Sequence, residues 1–169
     1  MTDTMKKTLL FIALISLSFN VMAQKKSAFP FKGGVEHMMN FFKDSLIVPQ
    51  HLIDRRATGV VIFKFTADAL GRVSKLVLYY ADDAILTQPV VDALKRSSGK
   101  WDIPPGVNTN DYLITFSFSF TPPAAAGTDL VNAVYDYTIN RKPIVFPNQF
   151  LTDEGILLPT VMVTYDIPQ

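Results

Sequence analysis

The amino-acid sequence predicts an α+β fold: a ββαβ-type core in which a three-stranded antiparallel sheet carries two helices on one face. Three observations predict it. Apolar residues recur at helical spacing before Gly59, and from Gly59 the period becomes 2 through a hairpin. A second helical stretch then separates that hairpin from the most regular alternation in the chain, Tyr112 to Phe120. With 13 Phe and 6 Tyr among 169 residues, the chain has the bulk for one core.

The first helix begins after Gly33-Gly34, where Met38, Met39, Phe41, Phe42 and Leu46 fall on one broad face, and Pro49 lies at or just past its end. Residues 50–58 are polar and basic. From Gly59, Val61, Phe63 and Phe65 alternate with Val60, Ile62, Lys64 and Thr66, giving a strand with one strongly apolar face. Asp68-Ala69-Leu70-Gly71 is a turn in which Gly71 supplies a positive φ, and Val73 to Tyr80 is the returning strand. Thr87 suits a helix N-cap and Pro89 its first turn. Lys95 and Arg96 favour the last turn, and Gly99 ends it. Trp101 comes next, folded back over the core, and Pro104-Pro105-Gly106 breaks the chain before the third strand. Val61, Phe63, Phe65, Val91, Leu94, Phe116 and Phe118 are expected to share one core.

The N-terminus reads as an export signal. Lys6 and Lys7 precede an apolar run of about 11 residues, Leu9 to Phe19, roughly half of what spanning a bilayer needs, and Val21-Met22-Ala23 suits signal peptidase. Cleavage after Ala23 leaves Gln24 at the new terminus; the alternative is an uncleaved inner-membrane anchor. Without Lys6, Lys7 and Asp3 the chain holds 14 basic and 14 acidic residues, a balance that gives no electrostatic case for nucleic acid or anionic membranes. With no cysteine there is no disulfide, thiolate metal site or thiol nucleophile, and export without disulfides suggests the periplasm of a bacterial envelope. The domain reading is therefore a signal peptide at 1–23, a short entry at 24–32, the domain at 33–121, and a Pro-rich linker with a C-terminal extension at 122–169. In that extension, Val131 to Ile139 and Val161 to Tyr165 read as extra strands. The second, with high β-propensity and no proline, needs a partner, and the edge at Tyr112 to Phe120 is one place for it to dock.

The joint spacing of several motifs resembles the TonB C-terminal domain family. Gly59-x-Val61-x-Phe63-x-Phe65-x-x-Asp68-x-x-Gly71-x-Val73 is similar to the family's hairpin, Phe31-x-Gly33-Gly34 to its opening, and Lys100-Trp101 with Pro104 to its Trp-x-Pro neighbourhood. The resemblance covers about residues 31–120. Val48-Pro49-Gln50 occupies the family's Tyr-Pro position with Val in place of Tyr, and Arg56 stands where Gly is usual. The resemblance implies a periplasmic binding or adaptor module linked to outer-membrane transport. Its partner would be a protein of the cell envelope, such as a TonB-dependent outer-membrane receptor, recognised by β-augmentation. The implied contact residues are Val48, Pro49 and Gln50, together with the last strand of the core, Tyr112, Leu113, Ile114, Thr115, Phe116, Ser117, Phe118 and Ser119. About ten residues separate Ala23 from Gly33, at most roughly 35 Å of extended chain, too short to carry an anchored domain across to the outer membrane.

No set of residues assembles into a catalytic centre, so a non-enzyme without cofactor or metal is expected. Gly33-Gly34 lacks the strand and Lys-Ser/Thr pair of a phosphate loop and reads as a turn. His37 and His51 lack further ligands at zinc spacing. Asp82-Asp83 is better explained by capping than by acid–base chemistry, and Ser97-Ser98-Gly99 has no nucleophile-elbow context. The open alternative is a structural envelope component that keeps the fold without receptor binding.

Overall fold

In a computed structural model, residues 29–124, 127–146 and 155–167 are described; the predicted signal segment and most of the entry lie outside them. The fold is mixed α+β. Helix α1 spans Gly34–Ser45 and a short α2 Gln50–Asp54; strands β1, Gly59–Asp68, and β2, Val73–Ala81, form the hairpin. One 3-10 turn, Ala84–Leu86, leads into α3, Thr87–Arg96, and then β3, Thr109–Thr121. The remainder is α4, Thr128–Asn140, with three short strands: β4, Ile144–Val145; β5, Ile156–Leu157; and β6, Val161–Asp166.

The expected three antiparallel strands form the centre of a larger mixed sheet in the order β4-β2-β1-β3, with β5 and β6 both on the far side of β3. β5 and β6 run parallel to β3, an arrangement that needs a long crossover, and α4 lies within it. Val131 to Ile139, expected as a strand, is helical in α4. The prolines 143, 147 and 159 all lie beyond its end, and Leu130, Val134 and Tyr137 recur at helical spacing on the face turned to the protein. Residues 50–58, polar and basic in sequence, contain α2 with Leu52 fully buried.

Period-2 burial on β1 and β3 places Val61, Phe63, Phe65, Tyr112, Ile114, Phe116 and Phe118 on one sheet face. Met38 and Phe42 of α1 and Val90, Ala93 and Leu94 of α3 cover that face; Val91, expected beside Leu94, is only half-buried against it. Each fully buried Val, Leu, Ile, Phe or Met side chain among them contributes about 1.5–3 kcal/mol by leaving water. Trp101 closes the core, stacked on Tyr112 with ring centroids 5.2 Å apart and 4.7 Å from Phe65, while its Nε1 donates to Ser97 Oγ at 3.0 Å. Phe31 meets Trp101 edge-on at 5.0 Å and bridges it through the backbone.

The hairpin turn is built around Asp68. Its Oδ1 accepts from Leu70 N–H and Arg72 N–H, each at 2.9 Å, and Arg72 Nε donates to Oδ2 at 2.7 Å. These donors, the Arg72 N–H foremost, hold the Asp68 carboxyl below the usual carboxylate range. Gly71 has φ +73°, as the turn predicts. Thr87 does not cap α3. Its hydroxyl donates back to Ala84 O at 2.8 Å; Leu86 stands at the α3 N-cap without a side-chain cap, and Asp83 caps the preceding 3-10 turn by accepting from Ile85 N–H. Asp82 ties the start of β1 instead, accepting from Val60 N–H at 2.7 Å. No helix among the described residues is long and apolar enough to cross a membrane.

Candidate functional site

The predicted edge residues fall on β3 in two sets. Tyr112, Ile114, Phe116 and Phe118 turn inward and are buried; Leu113, Thr115, Ser117 and Ser119 lie on the opposite face. On its other side β3 is occupied by the chain's own C-terminal segment. Tyr112 and Leu113 pair with Ile156 and Leu157 of β5, and Leu158 N–H donates to Leu113 O at 2.9 Å. From Phe116 to Thr121 each residue pairs with one of β6, Val161 to Asp166.

The occupant is held by alternate side chains. Val161, Val163 and Tyr165 of β6 and Ile167 just beyond it are buried, whereas Met162 between them is 61% exposed. Ser119 and Thr164 meet on the outer face with their hydroxyl oxygens 3.2 Å apart. Tyr165 reaches furthest: its hydroxyl donates to Ala57 O at 2.7 Å and lies 3.4 Å from Leu52 O, fixing β6 to the segment after α2.

The second predicted contact, Val48-Pro49-Gln50, sits at the other end of α2, where the helix begins. Val48 is half-buried against the core, Pro49 is the N-cap of α2 with its carbonyl accepting from Leu52 N–H at 2.9 Å, and Gln50 Nε2 donates to Asp54 Oδ1 at 2.9 Å. α2 and Tyr165 thus connect the Val48–Gln50 region to the β3 edge, with β6 lying on that edge. Arg56 follows α2 with φ 56°, a left-handed conformation uncommon for a non-glycine residue; its guanidinium donates to the carbonyls of Ile53 and Asp54.

Burial pushes the Tyr165 phenol up to about 12, against the opposing pull of the Arg56 cation. A phenol raised from its ordinary value near 10 contributes stability that is complete below about pH 10 and lost as pH climbs toward 12. Tyr165→Phe should therefore cost about 1–2 kcal/mol at pH 8 and lose less than the parent between pH 10 and 12. Urea denaturation at pH 8 and 11 checks both, and a parallel pH dependence of parent and variant would refute the assignment.

Sequence reasoning missed Tyr165 as an anchor and β5 altogether. The alternation of Val161, Val163 and Tyr165 carried the first signal, but a two-residue strand has no period to detect. A second feature lies beside the edge: an apolar cleft of ≈ 520 Å³ between Phe120, Pro122 and the α4 residues Leu130, Val131 and Val134. α4 itself is pinned by the Tyr137 hydroxyl, which donates to Thr58 O at 3.2 Å. His37 and His51 lie apart on α1 and α2, and among the described residues no three His, Asp or Glu side chains converge on a common point. The chain matches no family model, no curated protein and no solved structure.

Proposed function

We propose that this protein is an exported, TonB-like binding module of the periplasm that recognises an extended segment of an envelope protein by edge-strand addition, in connection with outer-membrane transport. The observation that carries the reading is the parallel docking of a six-residue strand on β3. It supports the reading because an extended segment, here the chain's own, pairs with this edge through its backbone and buries alternate side chains, the arrangement by which strand addition gains affinity and selectivity. The Val48–Gln50 region lies beside this edge, joined to it through Tyr165.

A second reading, a structural envelope component without receptor binding, is favoured by one fact: the edge is already covered. The two are separated by photo-crosslinking in a Gram-negative periplasm, with a photoreactive residue placed at Ser117 and, as control, at the exposed Glu36. Crosslinks from Ser117 to an envelope protein, mapped by mass spectrometry to an extended segment and missing from the Glu36 control, are expected. Identical products from both positions, or none from Ser117, would remove the binding reading.

A further inference from the structure

The segment seated on β3 describes the ligand this edge is built to take. We propose that β6 is an exchangeable self-ligand, and that the partner strand carries the pattern of the tail: β-branched aliphatic, any, β-branched aliphatic, any, Tyr, any, aliphatic, running parallel to β3. This rests on the edge-addition reading and specifies its ligand and its control.

The pattern comes from the tail side chains that are engaged. Val161, Val163, Tyr165 and Ile167 are buried at alternate positions, and the Tyr165 hydroxyl adds a bond to Ala57 O at 2.7 Å that no aliphatic residue or Phe supplies. Met162, Thr164 and Asp166 face outward and are exposed, so those positions are free to vary. Parallel direction is set by the register from Phe116↔Val161 to Thr121↔Asp166.

Exchange is a consequence of the same geometry. A partner strand with the same inward residues recovers every contact that the tail gives up, so the competition turns on concentration rather than on new interactions. A tail tethered in cis acts at an effective concentration of about the millimolar range, so weak strands are excluded and only a matching, locally concentrated one displaces it. The hold is discontinuous: β5 pairs only at Tyr112 and Leu113, with Ile156 and Leu157 exposed; Leu158 adds one backbone bond to Leu113 O and a buried side chain, and the ladder then lapses until Val161. The opposite edge of the sheet is a poorer acceptor. β2 carries two register irregularities against β1 and the charged Lys75, whereas β3 pairs β1 without a register shift and has neither Lys nor Pro.

The test uses the full chain and a synthetic peptide of residues 158–167 with Thr164 replaced by cysteine. The chain has no cysteine of its own, so Ser119→Cys provides a single trap opposite the Thr164 position, and Ser74→Cys on β2 provides the control. In a glutathione redox buffer, the mixed disulfide at Ser119→Cys is expected to exceed that at Ser74→Cys at least tenfold. It should rise at least a further tenfold when Tyr165→Ala loosens the tail, and vanish when the peptide's Val and Met positions are interchanged. Equal trapping at the two sites, or no gain with a folded Tyr165→Ala chain, overturns the proposal; if Tyr165→Ala unfolds, the ratio between Ser119→Cys and Ser74→Cys decides alone. A dimer formed by exchanging tails between two copies in place of peptide capture, seen by light scattering, overturns the partner assignment. Cellular crosslinks from Ser117 without trapping at Ser119→Cys would leave edge addition standing and remove tail exchange, whereas failure of both removes both.

Discussion

Replacing Phe65 by alanine is expected to destabilise the protein by about 3–5 kcal/mol, enough to unfold most of the population of so small a domain. Phe65 is fully buried on β1, with Trp101 and Tyr112 as ring neighbours at 4.7 and 5.2 Å, so its removal opens a cavity that rigid aromatic neighbours cannot collapse. Val91→Ala is the contrast: Val91 is only half-buried at the rim of the same core and should cost about 1 kcal/mol. Urea denaturation followed by circular dichroism ranks the two, and equal midpoints for Phe65→Ala and the parent would mean the sheet does not bury this face.

Gly71→Ala should be nearly as damaging for a different reason. At φ +73° an alanine pays about 1–2 kcal/mol for the left-handed backbone, and its Cβ would stand 2.2 Å from Trp101 O, a backbone atom that cannot swing aside. The hairpin turn and the segment carrying Trp101 would have to separate, breaking the 2.6 Å bond from Gly99 N–H to Gly71 O. A total of about 3 kcal/mol or more is expected. Gly99→Ala isolates the backbone part, since Gly99 has φ +83° with nothing within 4 Å of its Cβ position. It should cost only about 1–2 kcal/mol. Thermal unfolding of both variants measures the difference, and equal losses would show that the approach of Trp101 to the turn is not close.

The features legible in the sequence are those that repeat within a single element. The hairpin, β3 and α1 announce themselves because Val61, Phe63 and Phe65, then Tyr112 to Phe118, and then Met38 and Phe42 each mark a buried face several times over. α4 reads as a strand because Val131, Val134, Tyr135, Tyr137 and Ile139 have the composition of one; their helical spacing and the crossover that parallel pairing requires outweigh that propensity. The position of β3 near a sheet edge is inferable, since it closes the ββαβ order. Its occupant is only one option among several, because alternation in Val161 to Tyr165 reports which faces are wet and dry and says nothing of direction or partner. Likewise Val48–Gln50 can be located, but the Tyr165 hydroxyl that links this region to the edge comes from more than a hundred residues away.

Parallel pairing of β3 with β6 also sets an order of assembly. Paired residues such as Ser119 and Thr164 are 45 positions apart, while the β1–β2 hairpin closes over a four-residue turn. Closing the longer loop costs more entropy before any contact repays it, so the hairpin and its helices form first and β6 docks late. Changes in β6 would then act mainly on the rate of unfolding and little on the rate of folding. β6 also comes after every other described strand in chain order, so for an interval the β3 edge stands bare beside any extended segment in its surroundings.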